Sequence, residues 1–229
     1  MLKHILRTDL HGDPNLGLFA LATDKFILAG SSMQKKAIAP LEEVLKTGSH
    51  RILVADTDLV GLFVAANANG VVVPKIMEDD ELRTLKRLAD QLDLNVLMLK
   101  TKETALGNLI LANDRGCIIS KELHAVKSKI ADALGVETEI GSIAGLDTVG
   151  SCGIATNRGV LVHRGCSERE LEHIERVLHV RGDIGSVAFG SPFVGAGVLA
   201  NSNGFAASRS TTGPELQRID EALGFTESI

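Results

Sequence analysis

Five segments of this chain repeat one another: NLGLFALATDK (15–25), LVGLFVAANANG (59–70), ALGNLILANDRG (105–116), TVGSCGIATNRG (148–159) and FVGAGVLANSNG (193–204). Each has a lead glycine, a mostly apolar run, an alanine at a fixed place and then Asn or Thr. The lead glycines Gly17, Gly61, Gly107, Gly150 and Gly195 are 44, 46, 43 and 45 residues apart. Five such units use up the 229 residues. Near-constant spacing over the whole length is the mark of a repeat architecture, in which one unit cannot bury its own apolar faces.

The unit can be read physically. The short apolar run after each lead glycine predicts a strand buried on both faces. The turns Asn67-Ala68-Asn69-Gly70, Asn113-Asp114-Arg115-Gly116, Thr156-Asn157-Arg158-Gly159 and Asn201-Ser202-Asn203-Gly204 predict tight hairpins in which Gly takes a positive φ. That turn chemistry accounts for Asn67, Asn113, Asn157 and Asn201 without a further role. The first unit's Thr23-Asp24-Lys25 lacks the Gly and reads as one residue shorter. A second strand follows each turn, as in Val71–Val73 and Val160–Val162, and then a helix. Ser167-Glu168-Arg169-Glu170 has capping-box form, and Thr212-Gly213-Pro214-Glu215 repeats it with Pro where it costs no hydrogen bond. Leu82, Leu85, Leu88, Ala89 and Leu92 mark one helix face; Leu123, Val126, Ile130 and Leu134 mark another. Charges such as Arg83, Lys86 and Arg87 fall on the solvated side. A further strand follows each of the first four helices, at residues 51–54, 95–98, 137–140 and 184–187, and Ile5-Leu6 fills that role for unit one.

Side-by-side packing of five units, with no atypical capping repeat, predicts closure into an α/β ring with five-fold pseudosymmetry and the helices outside. Closure also removes sheet edges, so the free chain is expected to be a monomer. We expect one domain over 1–224, with repeats at 1–45, 46–92, 93–134, 135–178 and 179–224, and a short tail at 225–229, of which 226–229 frays.

Composition narrows the function. Lys and Arg number 24 against 29 Asp and Glu, a formal charge of −5. A free-standing nucleic-acid binder usually carries a basic surplus. Trp and Tyr are absent and Phe is only 7, too few for a base-stacking platform. No apolar run approaches the ~20 residues of a membrane-spanning helix, and MLKHILRTDLHGD has no secretory h-region. Cys117, Cys152 and Cys166 are an odd number without a CxxC, which argues against a disulfide framework and for a reducing cytoplasm. The histidines His4, His11, His50, His124, His173 and His179 show no HxH or HExxH spacing, so no metal is expected; His124 and His173 read as solvated helix positions. The glycines spell no nucleotide-binding loop, so no cofactor is expected.

The five-fold unit, the phrases ALGNLILANDRG (105–116) and TVGS (148–151), and the ending TTGPELQRIDEALG (211–224) resemble the archaeal translation initiation factor six family over essentially the whole chain. The resemblance implies a pentein fold, the five-bladed α/β propeller. It implies a cytoplasmic, non-enzymatic factor of protein biosynthesis. Such a factor binds the large (50S) ribosomal subunit on its joining face, blocks the small subunit, and is linked to large-subunit biogenesis. Its partners would be mainly large-subunit proteins, with ribosomal RNA close by; an acidic chain suits basic ribosomal proteins. The residue after each lead glycine, Leu18, Leu62, Asn108, Ser151 and Ala196, should cluster on one face around the axis as the ribosome-binding positions; the alternative is that all five only pack the ring, as a small or apolar residue beside a Gly often does. Asn108 matches a motif position that the resemblance links to subunit binding. Leu62 matches one that can carry Arg in eukaryotic members, and leucine offers no salt bridge there. An Asn at 108, between Gly and Leu in a buried strand, would be costly unless exposed or satisfied. Eukaryotic relatives extend well beyond this C-terminus, so regulation through a phosphorylated tail does not carry over.

The competing reading is enzymatic. Other penteins are guanidine-modifying enzymes with a Cys nucleophile, a His and carboxylates. Cys152, with Asp147 before it and His163 on the next strand, is the candidate here. A reactive thiol needs a base within reach, whereas Cys more often packs as a small buried hydrophobe.

Overall fold

A computed structural model describes residues 4–226. The first unit runs β1 (Ile5–Arg7), α1 (Leu16–Phe19), β2 (Ala20–Ala22), β3 (Ile27–Gly30), α2 (Lys35–Leu45) and β4 (Ser49–Ile52). The second runs α3 (Val60–Phe63), β5 (Ala65–Ala66), β6 (Gly70–Pro74), α4 (Asp79–Leu92) and β7 (Asn95–Leu99). The third has α5 (Leu106–Leu109), β8 (Ile110–Ala112), β9 (Gly116–Ile119), a 3₁₀ turn over Lys121–Val126, α6 (Lys127–Leu134) and β10 (Glu137–Ile140). The fourth has α7 (Val149–Cys152), β11 (Gly153–Ala155), β12 (Gly159–His163), α8 (Glu168–Leu178) and β13 (Arg181–Gly185). The fifth ends the chain with α9 (Val194–Gly197), β14 (Val198–Asn201), β15 (Gly204–Ala207) and α10 (Gly213–Ala222).

The apolar runs are therefore not strands from their first residue. Each begins as one helical turn at the lead glycine and extends only afterwards. A short apolar run cannot tell strand from helix by periodicity. What decides is the neighbouring unit. A Cβ on Gly61 would lie 2.0 Å from the Gly17 carbonyl oxygen, on Gly107 1.9 Å from that of Gly61, and on Gly150 2.0 Å from that of Gly107. On Gly195 it would meet the Gly150 oxygen at 2.1 Å, and on Gly17 the Gly195 oxygen at 2.1 Å. The contacts run through all five units and return to the first, so the ring is closed. Only glycine permits backbones this near one another.

Each sheet has three strands: an antiparallel hairpin and a parallel third strand. The opening strand of unit one does not serve unit one. Ile5, Leu6 and Arg7 pair in parallel with Phe205, Ala206 and Ala207 of β15, which stitches the N-terminal strand into the last sheet. His4 Nε2 lies 2.6 Å from Asp220 Oδ1 beside this seam. Phe225 stacks on His4 at 5.0 Å, and the Thr226 hydroxyl donates to Asp220. Phe225 is thus docked, and so is Thr226, which was expected to fray; residues 227–229 lie outside the described residues. The core is divided into five apolar clusters. The helix predicted through Leu123 and Leu134 is broken into a 3₁₀ turn and α6, with both leucines buried.

The hairpin turns at the far end of the strands differ from expectation in two ways. Their glycines do not take positive φ. The turns are instead held by side chains: Asn67 Oδ1 accepts from the N–H of Asn69 (3.0 Å) and Gly70 (3.1 Å), and Asn113 does the same in unit three. The glycines are required by close approach, since a Cβ on Gly70, Gly116 or Gly159 would meet a carbonyl at 2.1, 1.8 or 2.0 Å. Unit one's turn is also the same length as the others, closed by Thr23 N–H to the Phe26 carbonyl, with Phe26 in the glycine's place. Phe26 is fully buried, in the cluster that holds Leu85 and Leu88 of α4.

The turn residues also reach across units, which turn chemistry alone did not predict. The Asn67 amide donates to the Asn113 and Leu134 carbonyls, Asn113 to Thr156 and Leu178, and Asn201 to Thr23 and Leu45, all at 2.8–3.1 Å. One residue stands third in every turn: Lys25, Asn69, Arg115, Arg158 and Asn203. Each donates to a carbonyl at or just beyond the C-terminus of the next unit's helix, at Asp93, Leu134, His179, Gly224 and Leu45. Those carbonyls have no partner within the helix, so each unit finishes its neighbour's helix.

Candidate functional site

The four-residue helices α1, α3, α5, α7 and α9 touch in that order around the axis, and α9 returns to α1. They form one end of the ring, the hairpin turns the other. Leu18, Leu62, Asn108, Ser151 and Ala196 occupy the same place in each and are all half-buried. The expected clustering is thus present, but on helical turns rather than in strands. This removes the cost foreseen for Asn108. Its backbone N–H bonds the Ala105 carbonyl, and its side-chain amide has no hydrogen-bond partner among the described residues. The Ser151 hydroxyl donates to the Thr148 carbonyl at 3.0 Å.

The loops leading into these helices make the same end uneven. Four of them are tight hairpins, closed by the bridges Leu10–Asp13, Val54–Thr57, Ile143–Leu146 and Val187–Ser191. Their tips are left-handed: His11 and Gly12, Ala55 and Asp56, Ala144 and Gly145, and Ala188, Phe189 and Gly190. Among the described residues unit three shows no such bridge, and its connecting segment leads to Asn108 without that hairpin. Three hairpins are pinned from beneath by the third residue of a long helix. Glu81 accepts from the N–H groups of Ala55 and Asp56, both at 2.8 Å. Glu170 accepts from Gly145 (2.9 Å) and the Ser142 hydroxyl, while also closing the capping box with Ser167. Glu215 accepts from Phe189 and Gly190 and caps Thr212. Burial works against ionisation of Glu170, but the N–H groups of Gly145 and Ser167 and the hydroxyls of Ser167 and Ser142 outweigh it and bring its pKa down to about 2. The same balance lowers that of Glu215. The sequence signal S/T-x-x-E was visible; the second task of its glutamate was not, because the loop it holds lies 25 residues upstream.

The enzymatic candidates are not brought together. Cys152 is fully buried at the end of α7, with Thr148 Oγ1 at 3.8 Å from its sulfur, and burial pushes its thiol pKa up. His163 turns elsewhere: its Nδ1 accepts from Gly165 N–H and its ring meets Phe193 edge-on. Asp147 pairs with Lys121 at 2.8 Å. Burial likewise raises Cys117 to about 12 and Cys166 to about 11. Among the described residues no group of three or more His, Cys, Asp or Glu could hold a metal ion. No helix among them is long and apolar enough to cross a membrane. His124 is exposed as expected, and His173 is half-buried: its Nδ1 accepts from Arg176 at 2.7 Å while its Nε2 is buried.

Fold and rim together define a pentein, a closed five-unit α/β propeller with a ring of half-exposed side chains around one end of its axis. The eIF-6 family model matches residues 5–222, and the chain belongs to that family. It is 39% identical to translation initiation factor 6 of Pyrococcus horikoshii, over 97% of this chain and 99% of the relative. It is 42% identical to translation initiation factor 6 of Methanocaldococcus jannaschii, over 96% and 98%. The protein of that name from Saccharolobus islandicus is 38% identical over 96% and 99%.

Proposed function

We propose that this protein is a cytoplasmic translation initiation factor that binds the large ribosomal subunit and thereby prevents it from joining the small one, with a linked role in large-subunit biogenesis. The docking surface is the rim of short helices, with Leu18, Leu62, Asn108, Ser151 and Ala196 at its centre. One observation carries the reading: in a chain of this family, closure gathers five equivalent half-exposed positions onto a single stiff rim. A plug needs stiffness more than chemistry. It works by exclusion, and a factor present at 100 times its Kd lowers the apparent joining constant about 100-fold by mass action. The free Asn108 amide offers a donor and an acceptor to a protein backbone or a base edge. With a net charge of −5 the chain meets basic ribosomal proteins more readily than bare RNA. The free protein is a monomer of one domain, 1–224.

The test is co-sedimentation with purified archaeal large subunits on sucrose gradients, followed by a subunit-joining assay. The wild type is expected to travel with the large subunit and to suppress joining when in excess. Asn108→Ala and Ser151→Glu are each expected to weaken co-sedimentation at least about tenfold, near 1.4 kcal/mol, with unchanged melting. Normal binding by both variants moves the docking surface elsewhere; no binding by the wild type ends the proposal.

A further inference from the structure

The fifth hairpin departs from the others at its tip. Bridging Val187 to Ser191, it has one residue more than the hairpins of units one, two and four. Its second tip residue, where the others place Gly12, Asp56 and Gly145, is Phe189, with φ +63°. Bulky side chains rarely take that conformation, whereas Gly, Asn and Asp do. Phe189 is also 83% exposed, in a chain with only 7 phenylalanines. Core packing does not explain it. Phe193, four residues on and at the start of α9, is 42% exposed, and Leu146 on the hairpin before α7 is 38% exposed.

The tip is held rather than loose. Ser191 N–H donates to the Val187 carbonyl at 2.7 Å, and Ala188 N–H to Thr211 Oγ1 at 3.2 Å. Phe189 and Gly190 donate to the two oxygens of Glu215 at 3.2 and 2.8 Å. Three consecutive N–H groups thus point inward and the aromatic ring is presented outward. A fixed aromatic side chain loses little freedom on binding, which is what makes such residues dominate interfaces. The Ala196 N–H bonds the Phe193 carbonyl, so the patch continues directly into the rim of the proposed docking surface.

We infer that Phe189, supported by Phe193, is an anchor that enters an apolar pocket on a basic protein of the large ribosomal subunit; this rests on the docking function proposed above. Charge selects protein over RNA as the occupant. The loop is seated on the ionised Glu215, and the chain carries a net charge of −5, which favours a basic protein over a phosphate backbone. A ring that only has to fill a pocket can be replaced by another apolar side chain, whereas a ring stacked on a base cannot.

The experiment measures affinity for purified large subunits by co-sedimentation, for the wild type, Phe189→Ala and Phe189→Leu, with melting temperatures alongside. Phe189→Ala is expected to lose at least tenfold and Phe189→Leu less than threefold, both melting as the wild type does. Equal affinity of Phe189→Ala and wild type overturns the anchor while leaving the docking function intact. Equal large losses for Ala and Leu make the partner a nucleobase and overturn the protein pocket. Failure of the wild type to bind removes the docking function and the anchor together.

Discussion

At the scale of single residues, the same few side chains do two jobs, one local and one distant. Glu170 caps its own helix and holds the Ile143–Leu146 hairpin. The capping half was legible from Ser167 and Glu170 alone. The other half needed the fold, as did the bond from Asn69 to a helix end 65 residues away. A local reading gives turn residues a local purpose, and the distant partner appears only when neighbouring units are set side by side. The glycines show the same limit. Gly70 and Gly116 were expected for their conformational freedom and are needed for want of a side chain. The doubled role of Glu170 predicts a pH signature. Its folded pKa of about 2 lies below its ordinary 4.5, so its contribution is fully present above pH 4.5 and is lost as pH falls toward 2. Glu170→Gln is expected to destabilise the protein by about 1 kcal/mol at pH 7, the ordinary worth of a cap. That difference should shrink below pH 4.5 and vanish near pH 2. Urea titrations across that range check it, and a constant difference at every pH would refute the ionised-cap account.

At the scale of elements, the hairpins, the long helices and the existence of the third strands are legible in the sequence, because periodicity and capping residues are local signals; that the third strands run parallel is not. The 137–140 strand is found at Glu137–Ile140, while that expected at 184–187 lies at Arg181–Gly185. The helical turns at the lead glycines were not legible. Four residues cannot display a helical period, and the contact that favours the turn is made with another unit. This difference carries functional weight, because Asn108 stands on the rim rather than in a strand. One element carries a visible flaw. Pro40 sits sixth of the 11 residues of α2, where it lacks the N–H that would bond the Lys36 carbonyl. Pro40→Ala restores that donor at some cost in unfolded-chain entropy, and is expected to stabilise the protein by about 1–2 kcal/mol. A rise in the midpoint of chemical denaturation checks this; a fall would mean that the ring of Pro40 is needed where it packs.

At the scale of the whole molecule, the repeat predicted closure but not how the ends are joined. The chain closes its ring by lending: the strand after each helix pairs with the hairpin before it, and the last hairpin, with no strand after it among the described residues, takes β1 from the other end. Position in the chain places Ile5 and Leu6 in unit one, since nothing in six residues says which sheet they join. The loan gives the seam a specific weakness. Without β1, β15 keeps β14 on one side and presents the backbone of Gly204–Ala207 on the other, as a new sheet edge. His4 would no longer meet Asp220 or the Phe225 ring, and Phe205, fully buried, would lose its cover. An exposed apolar edge is a template for pairing with a second copy. A chain beginning at Thr8 is therefore expected to melt at least several degrees lower and to self-associate in a concentration-dependent way, as read by light scattering after size exclusion. Adding back the missing strand as a peptide should reverse both effects if the seam is only a lost pairing. A truncated chain that stays monomeric and melts normally would show that the glycine contacts and the turn collar hold the ring shut unaided. The plug would then owe its stiffness to the axis rather than to the strand that crosses the seam.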